Sequence, residues 1–106
     1  MTKKIPPIHP GTILLKNYLE PMGITPYALA KALAVSQPRV YALVHGSRSL
    51  TADMAIRLGC YFGTQAEFWM NLQTHYDLEV QRDAAATQSA IAQIKPLQRE
   101  TLSRGT

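Results

Sequence analysis

Apolar residues recur along the chain at steps of three and four, interrupted at short intervals by proline, glycine and hydroxyl-bearing residues. That rhythm predicts an all-α fold of five helices. Pro10 suits the first position of a helix that buries Ile13, Leu14, Tyr18 and Leu19, and Pro21 with Gly23 is expected to stop it. Thr25 is a good N-cap and Pro26 a good first residue for a second helix, with Leu29, Ala30 and Leu33 at helical spacing. Ala34-Val35 leaves room only for a sharp turn before Ser36, the N-cap of a third helix. Pro38 is tolerated in its first turn, Val40, Leu43 and Val44 form its buried stripe, and Gly46 ends it in a left-handed conformation.

Thr51 caps the fourth helix, with Asp53 in its first turn favourable to the dipole. Met54, Ala55, Leu58, Tyr61 and Phe62 give it a wide apolar stripe. Gly59, in mid-helix, costs ~1 kcal/mol relative to alanine unless another backbone approaches there. Gly63 closes this helix, and Thr64-Gln65-Ala66-Glu67 reads as a capping box opening the fifth, which runs to about Asp83. Residues 1–83 thus form one domain, with a core of about 25–80. Residues 84–106 form a tail: a polar hinge, a marginal helix near Ser89–Ile94, then Pro96 and a frayed end. The prolines before residue 11 make the start extended and partly mobile.

The third helix is the informative one. Pro38, Arg39, Tyr41, Ala42 and His45 point away from its apolar stripe, with Gln37 at its exposed start. This face carries no carboxylate. Arg can fork onto guanine, Gln onto adenine, and Ala can lie against a thymine methyl, so the face can read base edges. Together with the preceding helix it forms a helix-turn-helix over about 25–46. The charge distribution agrees: residues 1–50 hold six Lys/Arg against Glu20 alone, whereas residues 51–106 hold five against six acids. Positive charge gathers in the half that carries the reading helix, as binding to a polyanion requires.

The fifth helix holds more apolar surface than one side can bury. Phe68, Leu72 and Tyr76 do not share a side with Met70 and Leu78. A second copy of the chain is therefore expected on Phe68, Trp69, Met70, Leu72 and Tyr76, since a reader with one recognition helix gains affinity by pairing across a two-fold axis.

Other chemistry is thin. His9, His45 and His75 are far apart and share no acid at ligand spacing, so neither a metal nor another cofactor is expected. His9 fits better as an N-cap partner, and Asp77, Glu79 and Asp83 as a solvated helix face. No nucleophile–base pair, phosphate-cradling loop or paired carboxylate appears, which argues against an enzyme. Cys60 is the single cysteine, no apolar run approaches the ~20 residues needed to cross a bilayer, and the start lacks a signal-peptide core. A cytoplasmic protein without membrane association is expected.

The chain resembles the Cro/CI-like (XRE) helix-turn-helix class, and more narrowly the HigA-type antitoxins. The resemblance rests on His9-Pro10-Gly11, Leu29-Ala30-Lys31-Ala32-Leu33, Arg39-Val40 and Leu50–Leu58, and above all on Phe68-Trp69-Met70-Asn71-Leu72-Gln73 leading to Tyr76-Asp77-Leu78. It implies a five-helix, lambda-repressor-like domain. By matched position, Gln37, Pro38, Arg39 and Ala42 would face the major groove. Thr25, Lys31, Ser36, Tyr41, His45, Ser47 and Arg48 would lie along the phosphates, which position a protein without reading sequence. The implied function is a dimeric repressor that binds its own operator in double-stranded DNA and neutralises a small ribonuclease toxin. A solitary regulator and an antitoxin that has lost DNA binding are the alternatives. Ala34 stands where the family usually has a turn glycine, a cost of about 1–2 kcal/mol if that residue is left-handed. Pro38 replaces a polar residue, so readout should lean on Gln37 and Arg39.

Overall fold

A computed structural model describes residues 6–98. The start over residues 1–5, with Lys3 and Lys4, and the end over residues 99–106 lie outside the described residues. Within them the order is α1 (Pro10–Ile13), a π-helical segment (Leu14–Leu19), α2 (Glu20–Met22), α3 (Pro26–Leu33), α4 (Gln37–Val44), α5 (Ala52–Phe62), α6 (Ala66–Asp83) and α7 (Ala85–Gln93). The first three run on without a break, so the core of the domain is the expected five helices.

Pro21 does not stop the first helix, contrary to the sequence expectation. Proline in a helix removes one hydrogen bond and crowds the carbonyl four residues back. Here the preceding turns widen to π spacing, Glu20 N–H reaching back to the Leu15 carbonyl, and the helix passes Pro21 as far as Met22. Gly23, at φ 67°, ends it.

Four side-chain caps set the entry of successive helices. His9 Nδ1 accepts from Gly11 N–H at 2.9 Å, and Thr25 Oγ1 from Ala28 N–H at 3.0 Å. Ser36 Oγ accepts from Arg39 N–H at 3.3 Å, and Thr51 Oγ1 from Met54 N–H at 3.2 Å. The fifth expected cap is absent. Gln65 occupies the N-cap position of α6 and makes no side-chain cap bond. The Thr64 hydroxyl instead accepts the Trp69 indole N–H at 2.8 Å, because burying an indole leaves its only donor in need of a partner.

Leu14, Leu19, Leu29, Leu33, Val40, Leu43, Leu50, Met54, Leu58 and Trp69 close the core. Tyr61, expected on the α5 stripe, is instead exposed. Trp69, expected at a dimer contact, is 0% exposed and sits inside the domain. Gly59 shows why mid-helix glycine is kept: a Cβ there would stand 2.7 Å from the Thr64 carbonyl oxygen, so α5 and the turn into α6 touch through backbone. Residues after Asp83 do form a helix, α7, but earlier than expected and with no buried residue.

Ala34 adopts the left-handed conformation, φ 58° and ψ 45°. Its own N–H and that of Val35 bond back into α3, and Arg57 Nη1 donates to the Leu33 carbonyl at 2.7 Å, so the turn is held from both sides. Ala34→Gly is expected to raise stability by ~0.5–1 kcal/mol, the relieved strain less the freedom glycine adds to the unfolded chain. A rise in urea midpoint checks this; a fall would show that alanine is unstrained there.

Candidate nucleic-acid interface

The turn Ala34–Ser36 projects α4 from the body of the domain, held on its inner side by buried Val40, Leu43 and Val44. Gln37, Pro38, Tyr41 and His45 are exposed, and Arg39 and Ala42 are half-exposed. The six residues expected to look outward therefore share one surface. Thr25 and Ser36 lie exposed at the helix starts, their hydroxyls engaged as caps. Tyr41 and His45 stack, ring centroids 6.0 Å apart, and His45 Nδ1 lies 2.7 Å from the Tyr41 carbonyl oxygen. Lys31 is exposed on α3, its ammonium 5.7 Å from the Tyr27 ring centre. Ser47 donates to the Ala42 carbonyl at 3.2 Å, and Arg48 is exposed in the loop beyond α4.

The loop from His45 to Thr51 is anchored from behind. Leu50 N–H donates to the Gln73 side-chain carbonyl at 2.6 Å, and Gln73 Nε2 donates to Asp77 at 2.8 Å. Gln73 is the one buried polar residue of the described chain, and both ends of its amide are satisfied. Asp77, expected as part of a solvated face, thus orients the clamp. Gln73 and Asp77 belong to the motif that carried the family resemblance, yet their structural task was not evident from it.

His9 adds a second brace. Its ring lies edge-on to Tyr76, with centroids 4.9 Å apart, and packs beside Gly46 at the end of α4. Partial burial lowers its pKa, opposed by its bond to the Arg48 backbone, so the neutral ring that accepts from Gly11 is the favoured form.

A carboxylate from a neighbouring helix nevertheless borders this surface. No acid lies within α4, but α5 delivers one beside it. Arg39 Nη2 donates to Asp53 Oδ2 at 2.8 Å and reaches Thr51 Oγ1 at 3.4 Å. Arg57 Nε donates to the same Asp53 oxygen at 3.0 Å. Hydrogen bonds from Arg39 and then Arg57 hold the Asp53 carboxyl below the usual carboxylate range. The Asp53–Arg57 spacing of four is legible as a helical ion pair, whereas Arg39, fourteen positions earlier, could be joined to it only by the fold.

Of the residues expected at a second copy, Trp69 is withdrawn into the core. Phe68 remains exposed, while Met70, Leu72 and Tyr76 are half-buried. Leu78 and Val80 on α6 and Ile91 on α7 add further exposed apolar area.

The geometry has counterparts among known proteins. The helix-turn-helix family model matches residues 15–69. Virulence-associated protein I of Dichelobacter nodosus is 52% identical over 77 residues, covering 73% of this chain and 71% of that protein. Antitoxin HigA-1 of Vibrio cholerae is 44% identical over 72 residues, 68% of each chain. The solved structure of Pseudomonas aeruginosa antitoxin HigA with the higBA promoter superposes at a TM-score of 0.81 and 50% identity, covering 87% of this chain and 99% of that one. The chain belongs to the XRE-type helix-turn-helix family and, within it, to the HigA antitoxins.

Proposed function

We propose that this protein is the repressor and antitoxin of a toxin–antitoxin pair, reading an operator in double-stranded DNA with the outer face of α4. The observation that carries the reading is that face itself, in a chain half identical to an antitoxin solved with its promoter. Gln37 and Arg39 would contact base edges, with Pro38 and Ala42 making apolar contact. Thr25, Lys31, Ser36, Tyr41, His45, Ser47 and Arg48 would track the phosphates. Neutralisation of a small ribonuclease toxin, action in the cytoplasm and the lack of catalysis of its own belong to the same reading. So does a homodimer, for which Phe68, Leu78 and Val80 on α6 and Ile91 on α7 offer exposed apolar surface.

A mobility-shift titration with the duplex upstream of its own gene tests this. Binding should weaken steeply with salt as phosphate contacts release counterions, and sedimentation of the complex should give two chains per operator. Arg39→Ala should lose ~1–3 kcal/mol of affinity and relax base preference at one position of each half-site. Equal binding of Arg39→Ala and the parent to every duplex would remove α4 from the interface.

A further inference from the structure

We propose that Asp53 is a specificity-determining positioning residue: it holds the Arg39 guanidinium at a fixed place on the DNA-reading surface and keeps it from collecting phosphates indiscriminately. The inference rests on the assignment of α4 to the DNA interface. An unrestrained arginine on such a surface finds a phosphate on any sequence, because its long side chain sweeps a wide arc. Arg39 is not unrestrained. Among the described residues both of its side-chain bonds use Nη2, at 2.8 Å to Asp53 Oδ2 and 3.4 Å to Thr51 Oγ1, which leaves the Nη1 and Nε donors for a partner. Its side chain is only 30% exposed, whereas that of Asp53 is 52% exposed, so the restraint lies at the open edge of the reading surface.

The carboxylate is shared, and the sharing is unequal in its consequences. Arg57 also binds Asp53 Oδ2, at 3.0 Å, but keeps the Leu33 carbonyl at 2.7 Å and the Ala34 carbonyl at 3.4 Å. Among the described residues Arg39 has no such backbone anchor. Removing the carboxylate would therefore release chiefly Arg39, left with one long bond to a hydroxyl. The guanidinium bonds depress the Asp53 pKa, which extends the charged restraint to more acidic pH than a free carboxylate would reach. Held in advance, Arg39 meets a base edge without first losing its rotamer freedom, and the neighbouring negative charge disfavours a phosphate in the same place.

The test compares the duplex from upstream of the gene with a scrambled duplex of equal length, using fluorescence anisotropy over a range of salt. D53N is expected to bind the scrambled duplex about two- to fivefold more tightly. Its salt slope there should steepen by about 0.9, as one more phosphate is neutralised. Operator binding should weaken about two- to tenfold, because Arg39 must now be ordered on binding. Discrimination thus falls from both sides, which mere destabilisation would not produce. D53S, also suited to a first helical turn, should behave alike. In the R39A background, D53N should leave discrimination unchanged. Unaltered discrimination by D53N and D53S with Arg39 present, or an equal fall in the R39A background, would overturn the inference while leaving operator binding by the parent intact. Failure of the parent to bind the operator would overturn the DNA-binding assignment and this inference together.

Discussion

Trp69→Ala is expected to remove ~3–5 kcal/mol of stability, a large part of what a domain of this size has to lose. The side chain is 0% exposed and meets the Tyr18 and Phe68 rings at centroid separations of 5.0 Å each. Truncation leaves a cavity that surrounding helices can refill only in part, and it strips Thr64 of the indole N–H that its hydroxyl accepts at 2.8 Å. Trp69→Phe separates the two losses, since it keeps a ring and discards the donor; a smaller cost of about 1–2 kcal/mol is expected. Trp69 is the only tryptophan, so urea unfolding of both variants must be followed by circular dichroism rather than intrinsic emission. A near-neutral Trp69→Ala, with unchanged unfolding midpoint, would contradict its place in the core.

Gly11→Ala should be nearly as damaging, for a different reason. A Cβ at Gly11 would overlap the Leu43 carbonyl oxygen and stand 2.8 Å from its carbon and 3.0 Å from Val44 Cα. All three are backbone atoms at the end of α4, so no side chain can swing aside and the helix itself must shift. The expected cost is ~3 kcal/mol, the upper end of the usual overpacking range. Because the displaced element is the helix proposed to read the operator, operator affinity should fall even at temperatures where the variant is folded. An unchanged melting midpoint together with unchanged affinity would mean that α1 and α4 are not in backbone contact.

How far the sequence could carry the description depends on the range of each interaction. The α3–turn–α4 unit was legible because its determinants are local: Thr25 and Ser36 cap across three residues, Val40, Leu43 and Val44 repeat at helical spacing, and Gly46 supplies a positive φ. The left-handed state of Ala34 was legible as a condition, and the structure meets it. Errors arose where a local rule competed with a distant partner. Thr64 fits a capping box, but a buried indole claims its hydroxyl. Pro21 breaks an isolated helix, but the π-helical turns before it let the first helix continue. Trp69 sits on a helix with two apolar sides, and nothing in the spacing says which side meets the core. The candidate interface divides the same way: its outward residues follow from helical periodicity, whereas the Arg39–Asp53 and Leu50–Gln73 contacts join residues fourteen and twenty-three positions apart.

The clamp made by Gln73 carries an evolutionary consequence. Trp69 and Gln73, two of the letters by which this chain announces its kinship, point inward, Trp69 into the core and Gln73 onto the loop that follows α4. Under the proposed assignment of α4 to the operator, kinship and target choice are written on opposite sides of the same scaffold. On that assignment a descendant could acquire a new promoter by editing a few outward atoms at Gln37, Arg39 and Ala42, and would still be recognisable from its interior.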